Sequence, residues 1–205
     1  MYIPPTDNTI PSYEGAKLSL SDVERVMQKH ELWKYGSTAP GQRAHFAYAD
    51  LSGLDLTGID FNMASFEYAN LSNVNFTGCN LSRNSFRHSD CSGANFSNTN
   101  LEYSNFLQAD LTGVNLTNAN LCNTIGNGKQ IKNFYISKFL TTYTYDHVVI
   151  GCLSHPLQWW KDCTLADIEA VYGDEDGPYM LEQIKSGLVI IDLAPCIEVN
   201  YSNYG

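Results

Sequence analysis

Residues 44–63 read AHFAYADLSGLDLTGIDFNM, and they set a period of five residues that continues to residue 123. In thirteen of the sixteen units, Asp or Asn precedes the large residue; small residues often stand two positions before it, and Ser or Thr with Gly or Asn often follow. The large residue is Phe or Leu in every unit except the one at Cys91; its positions are 46, 51, 56, 61, 66, 71, 76, 81, 86, 91, 96, 101, 106, 111, 116 and 121. A period this regular predicts a structure built from stacked units.

A spacing of five matches neither the 3.6-residue period of a helix nor the two-residue period of a flat strand. The large residues can face one core only if the chain turns at every unit, and four such turns close a square of twenty residues. Residues 44–123 would therefore make four coils, and at roughly 4.8 Å per stacked chain the column would be about 19 Å tall.

Residues twenty apart become stacked neighbours in this arrangement. Phe46, Phe66, Phe86 and Phe106 are expected to form a ladder inside the column. Cys79 and Cys91 fall at inward positions and are predicted to fill the core as small apolar residues. Asn84 also falls at an inward position, where its amide needs hydrogen-bond partners, so we expect the third coil to be the weakest layer.

The outward positions differ between the sides of the column. Two adjacent sides carry Ser, Thr, Gly and Asn, whereas the other two carry large side chains. Tyr, Met and Arg are enriched at the centres of protein interfaces. The predicted partner-binding residues are Tyr48, Met63, Glu67, Tyr68, Arg83, Arg87 and Tyr103. These sides are expected to bind either an external partner or a terminal segment of the same chain.

The flanking segments carry the signals of caps, which repeat columns need at their open ends. Residues 1–43 contain a proline-rich arm, a capping-box pattern from Ser21 to Glu24, and an apolar helical stripe that ends before Gly36. The stripe consists of Val23, Val26, Met27, His30 and Trp33. Residues 124–205 predict two or three strands over 131–152 with a turn near residues 145–146, helices at 165–172 and 178–186, and a strand at 188–191.

The repeat resembles the pentapeptide-repeat family, whose pattern is A-(D/N)-L-x-x; Ala49-Asp50-Leu51-Ser52-Gly53 and Ala119-Asn120-Leu121 match it. The resemblance implies a mainly β fold, a right-handed quadrilateral β-helix of four coils, with an N-terminal capping helix and a C-terminal α+β cap. The helix around Lys29-His30-Glu31-Leu32-Trp33 and the segment from Gly126 to Trp160 resemble phage and prophage members. The expected domains are 1–43, 44–123 and 124–205.

The net charge of −10, from 22 acidic and 12 basic residues, argues against direct nucleic-acid binding, which needs a basic surface. The predicted acidic surface consists of Asp50, Asp90, Asp110, Asp174, Glu175 and Asp176. Some pentapeptide-repeat proteins imitate duplex DNA and bind DNA gyrase. A 19 Å duplex carries about eleven charges, whereas residues 44–123 hold seven acids and two arginines, a net of −5.

No apolar run is long enough to cross a membrane, and no leader pattern stands at the start, so we expect a cytoplasmic protein with reduced thiols. His147, Cys152, His155 and Cys163 do not fit a zinc-site spacing, and phosphate-binding and nucleophile motifs are absent from the sequence. We therefore expect no metal, no cofactor, no catalytic residue and no enzymatic activity.

Two classes of function follow. The first is a non-enzymatic protein-binding module, phage-encoded, that inhibits or modulates a host protein of nucleic-acid handling or defence, with a homodimer compatible with the sequence. The alternative is a DNA mimic that inhibits or protects DNA gyrase. A second alternative is a purely structural scaffold, or an enzyme whose site lies in the C-terminal cap.

Overall fold

The computed structural model describes residues 13–36, 41–136, 139–144, 147–151, 153–173 and 175–193. The arm was predicted over residues 1–17; residues 1–12 of it lie outside these ranges, and residues 13–17 are described. The elements, in chain order, are α1 (Leu20–Lys34), β1 (Lys132–Ile136), β2 (Phe139–Tyr143), β3 (His147–Ile150), β4 (Leu153–Pro156), α2 (Leu157–Asp162), α3 (Leu165–Tyr172) and α4 (Gly177–Leu193). The repeat lies between α1 and β1.

The repeat forms stacked coils with the predicted spacing of twenty residues. Parallel bridges join Asp50 to Asn70, Asn70 to Asp90 and Asp90 to Asp110, and the same pattern runs along the other sides. Backbone hydrogen bonds hold the steps together; for example, the N–H of Leu71 donates to Asp90 O (2.7 Å), the N–H of Asn73 donates to Ser92 O (2.8 Å) and the N–H of Asp90 donates to Ala69 O (3.0 Å). Turns between the bridges bend the chain at every unit.

The large residue of each unit points into the column. The predicted ladder of Phe46, Phe66, Phe86 and Phe106 is confirmed: neighbouring rings are near-parallel, with centroids 5.1, 5.3 and 4.6 Å apart. All four side chains are fully buried. Each such ring pair contributes about 0.5–1.5 kcal/mol beyond the burial of apolar area, so the ladder ties the coils together along the column.

The Asp or Asn before each large residue holds the next turn. Its Oδ1 accepts the backbone N–H two residues later, as in Asp50 with Ser52 (2.9 Å), Asn70 with Ser72 (3.1 Å) and Asp90 with Ser92 (2.9 Å). This is the side-chain turn that Asp and Asn form most readily. The need for that acceptor explains why these two residue types dominate the position.

Helix α1 covers one end of the column. Its N-cap is Ser19, which forms a capping box with Asp22, so the predicted box starting at Ser21 is wrong by two residues. Ser19 takes the role because its side chain receives the N–H of Asp22 while the Asp22 carboxylate receives the N–H of Ser19. Val23, Met27 and His30 are buried against the coils, whereas Trp33 is 40% exposed.

The opposite end of the column meets an antiparallel sheet with strand order β1-β2-β3-β4. Asn133 Nδ2 and Thr142 Oγ1 donate to Thr124 O, at 2.8 and 3.2 Å. Val149 packs within the same buried cluster as the repeat. Three strands lie within residues 131–152, as predicted, and β4 adds a fourth that was not predicted. The turn predicted near residues 145–146 lies outside the described residues.

The C-terminal helices form a second core around Trp160. Helix α3 has the predicted bounds, α2 was not predicted, and α4 continues to Leu193. The strand predicted at residues 188–191 is wrong. Leu188 and Ile191 are buried with Met180 and Ile184 at helical spacing, and this packing overrides the β preference of the Leu-Val-Ile-Ile run.

Three cysteines are free and buried, namely Cys79, Cys91 and Cys163. Burial raises the pKa of Cys91 to about 12 and that of Cys79 to about 11, so both thiols stay protonated. This agrees with the prediction that they fill the core as small apolar residues. Cys122, however, is disulfide-bonded, and the expectation of reduced thiols is wrong there. Disulfides are rare in the cytosol, which counts against the argument for a cytoplasmic location.

Among the described helices, none has the length and apolar character to span a bilayer.

The predicted inward position of Asn84 is confirmed, and its amide lacks the hydrogen bonds that this position requires. The residue is 2% exposed, and neither its Oδ1 nor its Nδ2 has a hydrogen-bond partner. At the equivalent inward position one coil later, Ser104 Oγ donates to Leu101 O at 2.6 Å. At this position the serine side chain forms a hydrogen bond within its own turn, whereas the asparagine side chain forms none.

We therefore expect Asn84→Ser to raise the free energy of unfolding by about 1–2 kcal/mol, since it removes two unpaired buried groups. Thermal unfolding followed by circular dichroism measures the change. Ser104→Ala is the matched control and should lower stability by about 1 kcal/mol, because it deletes a made hydrogen bond. An Asn84→Ser variant that melts below the wild type would contradict this account.

His30 joins α1 to the column in its neutral form. Its Nε2 donates to Asn62 O (2.9 Å) and its Nδ1 accepts the N–H of Ala44 (3.1 Å). Burial lowers the pKa of His30 below its ordinary 6.5, although the Asn62 carbonyl acts in the opposite direction. Burial also lowers the pKa of His45, and the nearby Arg43 adds to that effect.

Because both folded pKa values are depressed, the unfolded chain binds more protons as the pH falls below 6.5. The stability contribution is complete above pH 6.5 and is lost as the pH falls toward the folded pKa values. Denaturant unfolding between pH 7.5 and 5 should show this loss, and His30→Gln should reduce its slope. Equal slopes for the wild type and His30→Gln would refute the role of His30.

Candidate protein-binding surface

Two neighbouring edges of the column carry large exposed side chains at the outermost corner of each unit. One, here called the tyrosine edge, consists of Tyr48, Tyr68, His88 and Gln108. The other, called the arginine edge, consists of Met63, Arg83, Tyr103 and Asn123. In each edge the members are twenty residues apart, so they lie one above another along the column.

The tyrosine edge is a continuous stack of rings. The Tyr48 and Tyr68 rings have centroids 4.9 Å apart, the Tyr68 and His88 rings 4.6 Å, and both pairs are within 4° of parallel. Tyr48 is 50% exposed and Tyr68 46%. The rings are therefore fixed in place by one another while their outer edges face solvent.

The arginine edge is ordered by a cation–π contact. The Arg83 guanidinium lies 4.7 Å from the centroid of the Tyr103 ring, a contact worth about 0.5–1 kcal/mol at an exposed site. Met63 and Tyr103 are both exposed. The two longest side chains of this edge thus have a preferred arrangement before any partner binds.

The side between the two edges carries the remaining predicted residues, Glu67 and Arg87, both half-buried. Glu67 Oε1 accepts a hydrogen bond from Ser85 Oγ at 2.6 Å. All seven predicted partner-binding residues therefore lie on one side of the column or on its two bounding edges. We call this set, Tyr48, Met63, Glu67, Tyr68, Arg83, Arg87 and Tyr103, the aromatic patch.

The prediction missed residues that belong to the same surface. His88 stacks on Tyr68, and Leu107 is exposed one position beyond the large residue of its unit. Both could have been found from the sequence, because each lies twenty residues from a predicted member, His88 from Tyr68 and Leu107 from Arg87.

The described parts of the C-terminal cap leave the aromatic patch exposed, so they do not cover it. Residues 13–18 run beside the first coil, where the N–H of Gly15 donates to Tyr48 O and Lys17 bridges Asp50. The Tyr48 ring nevertheless remains half exposed. The other prediction, that a terminal segment covers this surface, stays open for residues 1–12 and 194–205, which lie outside the described ranges.

The predicted acidic residues lie in two parts of the chain, the coils and the segment before α4. Asp50 lies 3.3 Å from Lys17 Nζ, whereas Asp90 and Asp110 are exposed in the same ladder. Hydrogen bonds from Thr112 lower the pKa of Asp110, and those from Ser52 and Lys17 outweigh desolvation to lower that of Asp50. Glu175 and Asp176 are exposed just before α4, and Asp174 lies outside the described residues.

The four residues weighed as metal ligands are not gathered into a site. His155 stacks on Trp159, with ring centroids 3.8 Å apart, and Cys163 is buried with Trp160. His147 borders a cleft beside the last coil, and Cys152 lies outside the described residues. Across the described ranges, no group of three His, Cys, Asp or Glu side chains is placed to hold a metal ion.

The comparisons with known proteins concern the repeat. Eight copies of the family model "Pentapeptide repeats" match residues 44–83 and 89–125. The unmatched residues 84–88 begin at Asn84, where the inward position departs from the pattern. A search of curated proteins finds no match to the chain.

Solved structures that resemble the chain are pentapeptide-repeat proteins and a resistance protein. One, from the cyanobacterium Cyanothece 51142, is 31% identical over 41% of this chain and 57% of its own, with a TM-score of 0.40. HetL from Nostoc sp. strain PCC 7120, involved in regulating heterocyst differentiation, is 34% identical over 42% of each chain (TM-score 0.29). QnrB1, a plasmid-mediated fluoroquinolone resistance protein, is 24% identical over 42% of this chain and 60% of its own (TM-score 0.31).

The chain spans about half the length of these solved structures. Over residues 44–83 and 89–125, where the five-residue code and the twenty-residue bridges occur, the chain is similar to the repeats of the pentapeptide-repeat family.

Proposed function

We propose that the chain is a non-enzymatic protein-binding module and that the aromatic patch is its contact surface. In this proposal the coils form the right-handed quadrilateral β-helix of the family, and the parts 1–43 and 124–205 serve as caps. The partner is a host protein of nucleic-acid handling or defence, bound by a phage-encoded protein.

The observation that carries the proposal is the backbone conformation at the corners. All four edges turn through left-handed residues, with φ near +60°. The two other edges use Gly or Asn at every corner, which suits this conformation. The residues there are Gly53, Asn73, Gly93 and Gly113 on one edge, and Gly58, Gly78, Asn98 and Asn118 on the other.

The tyrosine and arginine edges use large residues in the same conformation. Tyr68 has φ 59°, Met63 φ 66° and Arg83 φ 59°. A left-handed residue with a side chain costs roughly 1–2 kcal/mol, and such strain is typical of functional positions. Folding alone would favour Gly or Asn at these corners, so the large side chains support a role in binding.

Met63→Asn should therefore raise the free energy of unfolding by up to about 1 kcal/mol, since Asn tolerates the left-handed corner better than Met. Asn118→Met on a plain edge is the matched reverse change and should lower stability by a similar amount. Thermal unfolding of both variants measures the pair. If Met63→Asn destabilises the protein as much as Asn118→Met does, the corners carry no strain and this support is lost.

Tyr68→Ala combined with Arg83→Ala should abolish capture of the partner, because the pair breaks both the ring stack and the cation–π contact. Pull-down from host lysate with mass spectrometry identifies bound proteins, and circular dichroism verifies folding. Asn73→Ala with Asn98→Ala, at plain corners, is the control and should leave capture unchanged. Capture that survives the first pair and is lost with the second would place the contact surface elsewhere.

The alternative is a DNA mimic that binds DNA gyrase. Asp50, Asp90 and Asp110 lie in one ladder, which favours it, but Lys17 pairs with Asp50 and Lys34 lies 2.5 Å from Asp60. These two ion pairs reduce a charge that was already below that of duplex DNA. The support for a mimic is therefore weaker than that for the aromatic patch.

If the chain is a DNA mimic, the combined substitutions Asp50→Asn, Asp90→Asn and Asp110→Asn should relieve its inhibition of gyrase supercoiling, because they remove three negative charges along one side of the column. A supercoiling assay with the purified protein measures this. Glu175→Gln with Asp176→Asn in the cap is the control. A wild-type protein that does not inhibit gyrase removes this alternative.

A further inference from the structure

A cleft of about 610 Å³ separates the last coil from the C-terminal sheet. This volume is within the range of ligand-binding cavities, roughly 300–1,000 Å³. Its floor is residues 116–121 of the coil, and its other wall comes from β3, β4 and the residue after β2, through Thr144, His147, Val149, Ser154 and Pro156. Among the described residues, the lining carries no Asp, Glu, Lys or Arg, so it suits an uncharged segment.

The floor of the cleft is an open backbone edge. One coil lower, the N–H groups of Phe96 and Asn98 donate upward to Asn115 O (2.8 Å) and Thr117 O (2.9 Å). In the described structure, the equivalent N–H groups of Leu116 and Asn118 have no acceptor above them, and Val114 O receives no donor. Unpaired edges of this kind are templates for a further strand.

The chain itself contains one more unit of the five-residue code. Residues 199–203 read Val-Asn-Tyr-Ser-Asn, beside Val-Asn-Leu-Thr-Asn at 114–118 and Ala-Asn-Phe-Ser-Asn at 94–98. The match includes the small inward residue, the Asn that holds the turn, the large inward residue and the Asn suited to a left-handed corner. This segment lies outside the described residues.

We propose that residues 199–203 of the same chain bind in the cleft as one further side of the column, stacked on residues 114–118. By the register of the lower coils, Leu116 N–H would donate to Asn200 O, Asn118 N–H to Ser202 O, and Asn200 N–H to Val114 O. Tyr201 would continue the inward column of Phe76, Phe96 and Leu116. The segment carries no charge, in agreement with the lining.

The connection is long enough. Lys161 Nζ lies 2.8 Å from Asp192 Oδ1, so the end of α4 lies beside the end of α2. Helix α2 starts directly after Pro156, which lines the cleft, and five residues of helix span only about 7.5 Å. The seven residues from 193 to 199 reach up to about 25 Å when extended.

Backbone hydrogen exchange in the full chain, followed by NMR, tests the proposal. The amides of Leu116 and Asn118 should exchange at least 100-fold more slowly in the wild type than in a Val199→Asp, Tyr201→Asp double variant. Tyr204→Asp, one residue beyond the unit, is the matched control and should keep the protection. A synthetic peptide of residues 197–205 should restore protection to the double variant.

Two results would overturn the proposal. Leu116 and Asn118 amides that exchange equally fast in the wild type and the double variant would mean that the segment does not bind there. Protection that disappears on dilution, together with a dimer mass by light scattering, would mean that a second copy supplies the segment instead. Neither measurement depends on the aromatic patch, so the proposed function can fail or stand independently.

Discussion

The column depends on one local interaction, in which an Asp or Asn side-chain oxygen accepts a hydrogen bond from the backbone N–H two residues later. It fixes the turn in the units that carry Asp or Asn, as Asp90 does for Ser92 at 2.9 Å. The units of Phe66 and Phe86 carry Ser65 and Ser85 instead, and the turns on either side of them keep the two rings in register, with centroids 5.3 Å apart. The stacked core and the parallel backbone bridges both follow from this local contact, repeated along the chain.

The same regular turn creates the surface. Each corner needs a left-handed residue, and the corner side chain is held at the outermost point of the column. Where that residue is Gly or Asn, the edge is smooth and unstrained; where it is Tyr, Met or Arg, the edge presents a rigid side chain at a cost in stability. In the proposed function, the aromatic patch is the part of the surface where recognition outweighs the preference of the backbone.

Sequence reasoning succeeded where a contact is local and repeated, and failed where distant packing decides. The twenty-residue spacing, the phenylalanine ladder and the buried amide of Asn84 all followed from the period. The run from Leu188 to Ile191 was predicted as a strand, because its helical form depends on contacts with Met180 and Ile184. The stack of His88 on Tyr68 was within reach of the period, whereas the cleft below β3 depends on how the cap is seated.

The most direct measurement compares the unfolding of two deletion variants. Removing residues 70–89 deletes one whole coil and brings Ala69 before Asp90, which preserves the five-residue code. Removing residues 70–88 leaves one extra residue and breaks the register at that corner. We expect the first variant to unfold in one cooperative thermal transition by circular dichroism, and the second to lose that transition. Equal cooperativity in both would contradict the claim that the five-residue turn holds the column together.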